Sequence, residues 1–186
     1  ITAIGQVPAG AALRRSGARV GDALYVSGTI GDAGLGLRLL SGQAADLPAA
    51  AAAAVIDRFH LPRPRLALGQ ALRGVATACL DVSDGLVQDL GHLCAASGVG
   101  ARLIVDDLPL SAGGRAAVAR GLASGGDDYE LVFTAPAAAA TAVAAAARSA
   151  GTPVTRVGAI TSGGAVEVVD AAGAAVALAR AGYRHA

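Results

Sequence analysis

Residues 75–98 read VATACLDVSDGLVQDLGHLCAASG, and this stretch decides the fold. Val75 to Leu80 is an apolar run of strand length and predicts a buried strand. Leu86, Leu90 and Leu93 then recur at helical spacing until Ser97-Gly98 stops the helix. Strand and helix are joined by five residues, Asp81-Val82-Ser83-Asp84-Gly85, so the polar groups of that junction sit where a sheet hands over to a helix. Upstream, Ala23 to Ser27 predicts a strand, and Asp32 to Leu40 a helix in which Gly34 and Gly36 imply close approach to a neighbour. Leu47 to Phe59 predicts a second helix, His60-Leu61-Pro62-Arg63-Pro64 an extended connector, and Leu66 to Leu72 a short helix. Downstream come a strand from Arg102 to Val105 and a strand from Tyr129 to Thr134 with Tyr129, Leu131 and Phe133 on one face. They are followed by a helix from Ala137 to Ala150, a strand from Thr155 to Ile160 and a hairpin from Ala165 to Leu178 turning at Asp170 to Gly173. Strands mixed with helices, some joined by hairpins, predict an α/β sandwich (α+β) with a mixed sheet flanked by helices.

Composition narrows the chemistry. The chain has 186 residues, and all 15 of its Lys+Arg residues are arginine. Lysine-dependent phosphate grips, Schiff bases and the protein-kinase strand lysine are therefore excluded. A net charge of +1 without an arginine cluster offers no nucleic-acid surface. No segment reads as a membrane span, because the longest apolar run, Ala135 to Ala147, is mostly alanine and shorter than the roughly 20 residues a crossing needs. Cys79 and Cys94 lie in apolar settings without metal-ligand spacing, and no signal peptide is visible, so a reduced, cytoplasmic protein is expected. The absence of methionine, even at position 1, predicts a processed chain or part of a longer one.

Three constellations can carry chemistry. Asp81, Ser83 and Asp84 lie at the start of a helix, where backbone N–H groups and the positive dipole end attract phosphate and carboxylates can hold Mg²⁺ bridging to it. The alternative is that Ser83 or Asp84 caps the helix, which explains one polar residue of the three. Gly125-Gly126-Asp127-Asp128-Tyr129-Glu130 sets three carboxylates beside two glycines, a clustering that calls for a metal or cationic ligand unless the segment is a solvated turn. Arg14-Arg15-Ser16-Gly17 places an arginine before a small-residue turn, as a phosphate-gripping fork would require. His60, His92 and His185 have no ligand spacing, and Gly28 to Gly34 lacks the dinucleotide-binding pattern.

The segments LRRSGARVGDALYVSGTIGDAGLGL, RFHLPRPRLALGQAL, CLDVSDGLVQDLGHL, GGDDYELVFT and the terminal GYRH occur in this order and closely resemble the C-terminal part of bacterial thiamine-monophosphate kinases. That family belongs to the superfamily of aminoimidazole ribonucleotide synthetase, selenophosphate synthetase and the hydrogenase-maturation dehydratase. The resemblance runs from end to end. It implies transfer of the γ-phosphate of ATP to thiamine monophosphate with Mg²⁺, in a homodimer assembled mainly through an N-terminal ATP- and metal-binding domain. Residues 1–186 would then be the C-terminal domain, with 1–22 as its entry segment and no phosphate transfer by this part alone. By position the resemblance assigns Asp81 and Asp84 to metal, with Asp84 the catalytic one, Arg15 and Ser83 to ATP, and Asp127 and Tyr183 to thiamine monophosphate. Two departures stand out: the family commonly has glutamate where this chain has Asp127, and an aromatic residue where it has Ala186. Two other readings are carried beside the kinase, a non-catalytic ligand-binding half and another ATP-dependent enzyme of the superfamily.

Overall fold

The computed structural model describes residues 2, 4–43, 47–116, 125–178 and 182. Strand β1, Ala23–Ser27, is buried along its whole length, and its alternation divides the molecule. Leu24 and Val26 face one core, with Leu86, Leu90 and Leu93 of helix α4 (Leu86–Ser97). Ala23 and Tyr25 face the other, with Leu68 and Leu72 at α3 (Leu66–Ala71) and Val143 and Ala146 of α6 (Ala140–Ser149). A period of two therefore loads both faces of one sheet with apolar side chains, and helices cover both. Tyr25 stacks on Phe133 of β4 (Leu131–Ala135) with ring centroids 5.3 Å apart, filling the second core.

The sheet has six strands in the order β2-β4-β1-β5-β3-β6, with β2 at Ala78–Asp81, β3 at Gly100–Ile104, β5 at Val154–Thr161 and β6 at Val166–Val169. Neighbours are antiparallel except β3 and β6, which run parallel. The mixed-sheet sandwich is thus as expected. Helices α1 (Asp32–Leu40) and α2 (Ala49–His60) leave the end of β1 and pack on each other around Leu35 and Val55. A Cβ on Gly36 would lie 2.3 Å from the Val55 carbonyl oxygen, so the close approach inferred from the glycines is real. The short α5 (Ala112–Ala116) lies against this pair.

The strand expected at Val75 begins only at Ala78 and is not fully buried. β2 is an edge strand whose free side meets the entry segment, the Cys79 amide donating to the Arg14 carbonyl at 2.9 Å. The second helix starts after Pro48 rather than at Leu47, since a proline disfavours helical backbone at the residue before it and Pro48 itself is extended at ψ 138°. The expected 137–150 helix opens with a single 3-10 turn, Ala137–Ala139, before α6. The 165–178 hairpin has one strand, β6, and its return arm pairs only through a bridge from Val169 to Ala175.

Candidate active site

The junction Asp81 to Gly85 folds around a residue that the motif reading passed over. Oδ2 of Asp89, in the first turn of α4, accepts the amides of Ser83 at 3.0 Å, Asp84 at 3.0 Å and Gly85 at 3.1 Å. The amides expected to be open to phosphate are thus filled from within the chain. Neither Ser83 nor Asp84 caps the helix, because the residue before α4 is Gly85, which has no side chain to cap with. Both proposed uses of the backbone at this turn are therefore replaced by one internal carboxylate. Burial holds the Asp89 carboxyl above its ordinary range, and the three amides oppose that rise. With the loop's amides engaged, the Asp81 and Asp84 side chains are what it offers outward. Asp81 is exposed at the end of β2, and Asp84 Oδ2 accepts Gln88 Nε2 at 3.2 Å.

The glycine and carboxylate segment lies directly on this loop. The amide of Asp127 donates to the Ser83 carbonyl at 2.8 Å and that of Tyr129 to the Val82 carbonyl at 2.9 Å, while the Val82 amide donates to the Glu130 carbonyl. Gly126 permits the contact, since a Cβ there would come within 2.6 Å of the Ser83 oxygen. Asp127 and Tyr129 both take left-handed backbone, at φ 67° and 50°, which is strained for side chains of this size. This kink is why β4 begins at Leu131 and Tyr129 is not its first residue.

The kink sends the three clustered carboxylates in different directions. Asp128 is fully buried and accepts the amides of Gly31 at 2.7 Å and Ala33 at 3.3 Å, so it closes the N-terminus of α1 from outside. Glu130, also fully buried, accepts Ser27 Oγ at 2.6 Å, Arg58 at 2.9 Å and Arg65 Nε at 2.7 Å. The cation that this cluster required is therefore supplied, for Glu130, by the chain's own arginines, and the solvated-turn alternative does not hold. Asp127 alone of the three is not buried, and its charge acts on the Tyr129 hydroxyl. Partial burial, then the charge of Asp127, then those of Asp81 and Asp84 push the Tyr129 phenol above its usual value.

These residues border a cleft of about 720 Å³ whose lining includes Arg15, Arg65, Arg73, Asp81 and Tyr129, with Leu13 and Leu131 on its apolar wall. Arg15 and Asp81, two of the residues picked from the sequence, thus share one cavity, and Asp84 and Asp127 lie on the loop and the turn that carry Asp81 and Tyr129 to it. Ser83 contributes its backbone. Tyr183 and Ala186 lie outside the described residues. Among the described residues, no three His, Cys, Asp or Glu side chains enclose a metal position. Open carboxylates at a cleft mouth still suit Mg²⁺, which takes one or two carboxylates together with phosphate oxygens and water. His60 and His92 are exposed, and burial pushes the Cys79 and Cys94 thiols to about 12 and about 11, so both thiols stay protonated and unreactive.

Sequence reading missed Asp89, Arg58 and Arg65 as members of this site, and it named Tyr129 and Glu130 only as part of the 125–130 segment. The paired arginines of RFHLPRPR were the one available signal, since guanidinium groups spaced around prolines imply fixed partners. Burial raises the Asp128 carboxyl to about 7, with the Gly31 and Ala33 amides opposing and Asp32 adding. A carboxyl whose folded pKa exceeds its unfolded one near 3.9 stabilises the fold when protonated, and that contribution is lost as pH rises from about 4 through about 7. Melting temperature against pH is expected to fall less steeply over this window in Asp128→Asn than in the parent chain, a difference on the order of a few kcal/mol. Parallel curves would show that Asp128 does not carry the effect.

The family model of AIR synthase related protein, C-terminal domain, matches residues 19–171. A thiamine-monophosphate kinase of Salmonella typhimurium is 46% identical over 159 residues, covering 83% of this chain and 49% of that protein. The crystal structure of a thiamine-monophosphate kinase from Stenotrophomonas maltophilia superposes with a TM-score of 0.82 at 43% identity, covering 92% of this chain and 56% of the other. AaThiL, solved in complex with AMPPCP and TMP, superposes at 0.76 with 31% identity, covering 93% and 54%. The chain spans about half the length of the curated relatives it matches.

Proposed function

The chain belongs to the AIR synthase related proteins, as their C-terminal domain, and we propose that it is the corresponding half of a kinase that transfers phosphate from ATP to thiamine monophosphate. The observation that carries this reading is a cleft lined together by Arg15, Asp81 and Tyr129, at whose edge the loop bearing Asp84 is hydrogen-bonded to the turn bearing Asp127. The relative solved with AMPPCP and TMP supports it, as do the kinase names of relatives of similar sequence. Donor and acceptor are both phosphates, so the acceptor oxygen is already anionic and needs little help from a base, while repulsion between two polyanions is the main barrier. Mg²⁺ bound by Asp81 and Asp84 would neutralise that charge. Arg15 holds the nucleotide's phosphate end at the cleft wall, with Ser83 beside it. Asp127 faces the cationic thiazolium of thiamine monophosphate, with Tyr129 beside it. Tyr183 would cover the ring system.

The relatives are about twice as long, so turnover is expected of a whole-length kinase carrying this domain, as a cytoplasmic homodimer. The 186-residue chain by itself is expected to bind ligands and not to turn over. Incubation of the chain with ATP, Mg²⁺ and thiamine monophosphate should yield no thiamine diphosphate, and the whole-length protein should yield it. Robust turnover by the chain alone would overturn the division of labour. Failure of the whole-length protein to make thiamine diphosphate would overturn the kinase reading.

A further inference from the structure

Glu130 lies three residues beyond Asp127, has no exposure, and is met by side chains from three separate elements. Ser27 comes from the end of β1, Arg58 from the last turn of α2, and Arg65 from the residue before α3. Arg58 Nη2 is shared, donating to Glu130 Oε1 and to the Asp128 carbonyl, each at 2.9 Å, so the guanidinium grips the kinked backbone as well as the carboxylate. The Ser27 hydroxyl that donates to Glu130 also receives the amide of Leu131 at 2.8 Å, fixing the residue after the kink. Gly28 makes room for all of this: at φ 57° it carries no Cβ, and one placed there would sit 2.1 Å from Glu130 Oε1.

This arrangement is a poor way to stabilise a fold. Burying a carboxylate with two guanidinium groups costs desolvation that apolar residues of the same volume would avoid. Arg58 Nη1 is buried with no hydrogen-bond partner among the described residues, which adds to that cost. What the cluster does deliver is geometry. It grips both sides of a segment in which Asp127 and Tyr129 occupy backbone conformations that they would leave if released.

We infer that Glu130, with Arg58, is a positioning residue: the pair clamps the 127–129 kink so that the Asp127 carboxylate and the Tyr129 ring are held toward the cleft in the orientation that receives the substrate cation. The inference rests on the proposed role of Asp127. Neither Glu130 nor Arg58 touches substrate in this scheme, since both lie behind the turn.

Two readouts on the chain test it. Arg58→Lys keeps the positive charge but replaces the planar guanidinium, whose Nη2 reaches Glu130 and the Asp128 carbonyl together, with a point charge on a shorter reach; Glu130→Gln keeps the shape and removes both ion pairs. Amide hydrogen exchange in each variant should accelerate roughly tenfold or more at Asp127 and Tyr129, while the amides of Leu90 and Leu93 in α4 keep their parent rates. Calorimetric titration with thiamine monophosphate should show affinity weakened by roughly tenfold or more in the same variants. Unchanged exchange at 127 and 129 would overturn the clamp. Equal acceleration in α4 would also overturn it, because the cluster would then serve global stability alone. If Glu130→Gln fails to fold, Arg58→Lys decides by the same two measurements. Local acceleration with unaltered affinity would support the clamp and overturn the assignment of Asp127 to the substrate. If the parent chain binds no thiamine monophosphate, the functional reading fails while exchange still decides the clamp.

Discussion

Asp84→Asn is expected to lower phosphate transfer by the whole-length kinase roughly 10²- to 10³-fold while leaving the chain's melting temperature nearly unchanged. The side chain projects from a loop whose shape is set elsewhere, by Asp89 on the amides and by the Ser83 and Val82 carbonyls on the neighbouring turn. An asparagine of the same outline can still accept the Gln88 amide, so the loop keeps its partners. It cannot replace a negative charge facing a divalent cation, and charge neutralisation is the main task when two polyanions react. The loss should appear as a fall in kcat that added Mg²⁺ restores in part. Normal turnover at ordinary Mg²⁺ would remove Asp84 from the metal site.

Asp89→Ala should act in the opposite way, through the fold. One carboxylate oxygen serves three consecutive amides, and Asp89 is only 4% exposed, so alanine leaves three donors, one of them buried, without their acceptor. A loss of about 3 kcal/mol is expected, read as a fall in melting temperature of roughly 6–12 °C for a chain of this size. Asp89→Asn, which keeps one acceptor oxygen but not its charge, should lie between the two. A melting curve for Asp89→Ala within about 1 °C of the parent would show that the amides find other partners. The two carboxylates sit five residues apart and give opposite signatures, one in turnover and one in stability.

That contrast also shows where the sequence was readable. The two apolar faces of β1 and β4, the leucine spacing of α4 and the glycines of α1 are period and size effects, and each was visible in one dimension. The edge position of β2 was not, because an apolar run of six residues looks the same whether one face or two are covered. In the site, Asp81 and Asp84 could be picked out because their types and spacing suit a metal-assisted reaction on phosphates, and Asp127 through the family resemblance of the segment around it. Asp89 could not, since at three residues beyond Leu86 it looks like any acidic residue in a first helical turn. The run Asp127-Asp128-Tyr129-Glu130 was read as one charged patch, and only the two left-handed residues reveal that it is three separate carboxylates facing an opening, a helix end and an ion cluster. Backbone strain of that kind has no local sequence signature when the residues are not glycine.

The hydrogen bonds that shape the cleft also say when it can exist. Ser27 and Glu130 are 103 residues apart, Gly31 and Asp128 are 97, Arg58 and Glu130 are 72 and Arg65 and Glu130 are 65. Central strand β1 finds its neighbours only after β4 and β5 have been made. Chains dominated by such distant pairings close large loops before they gain contacts, and they fold slowly, in the range of milliseconds to seconds. During synthesis, then, the first 125 residues hold Arg15, Asp81 and Asp84 but nothing that fixes them around a ligand. Binding competence should arrive in one step, late, when residues 126–131 dock between segments that left the ribosome long before.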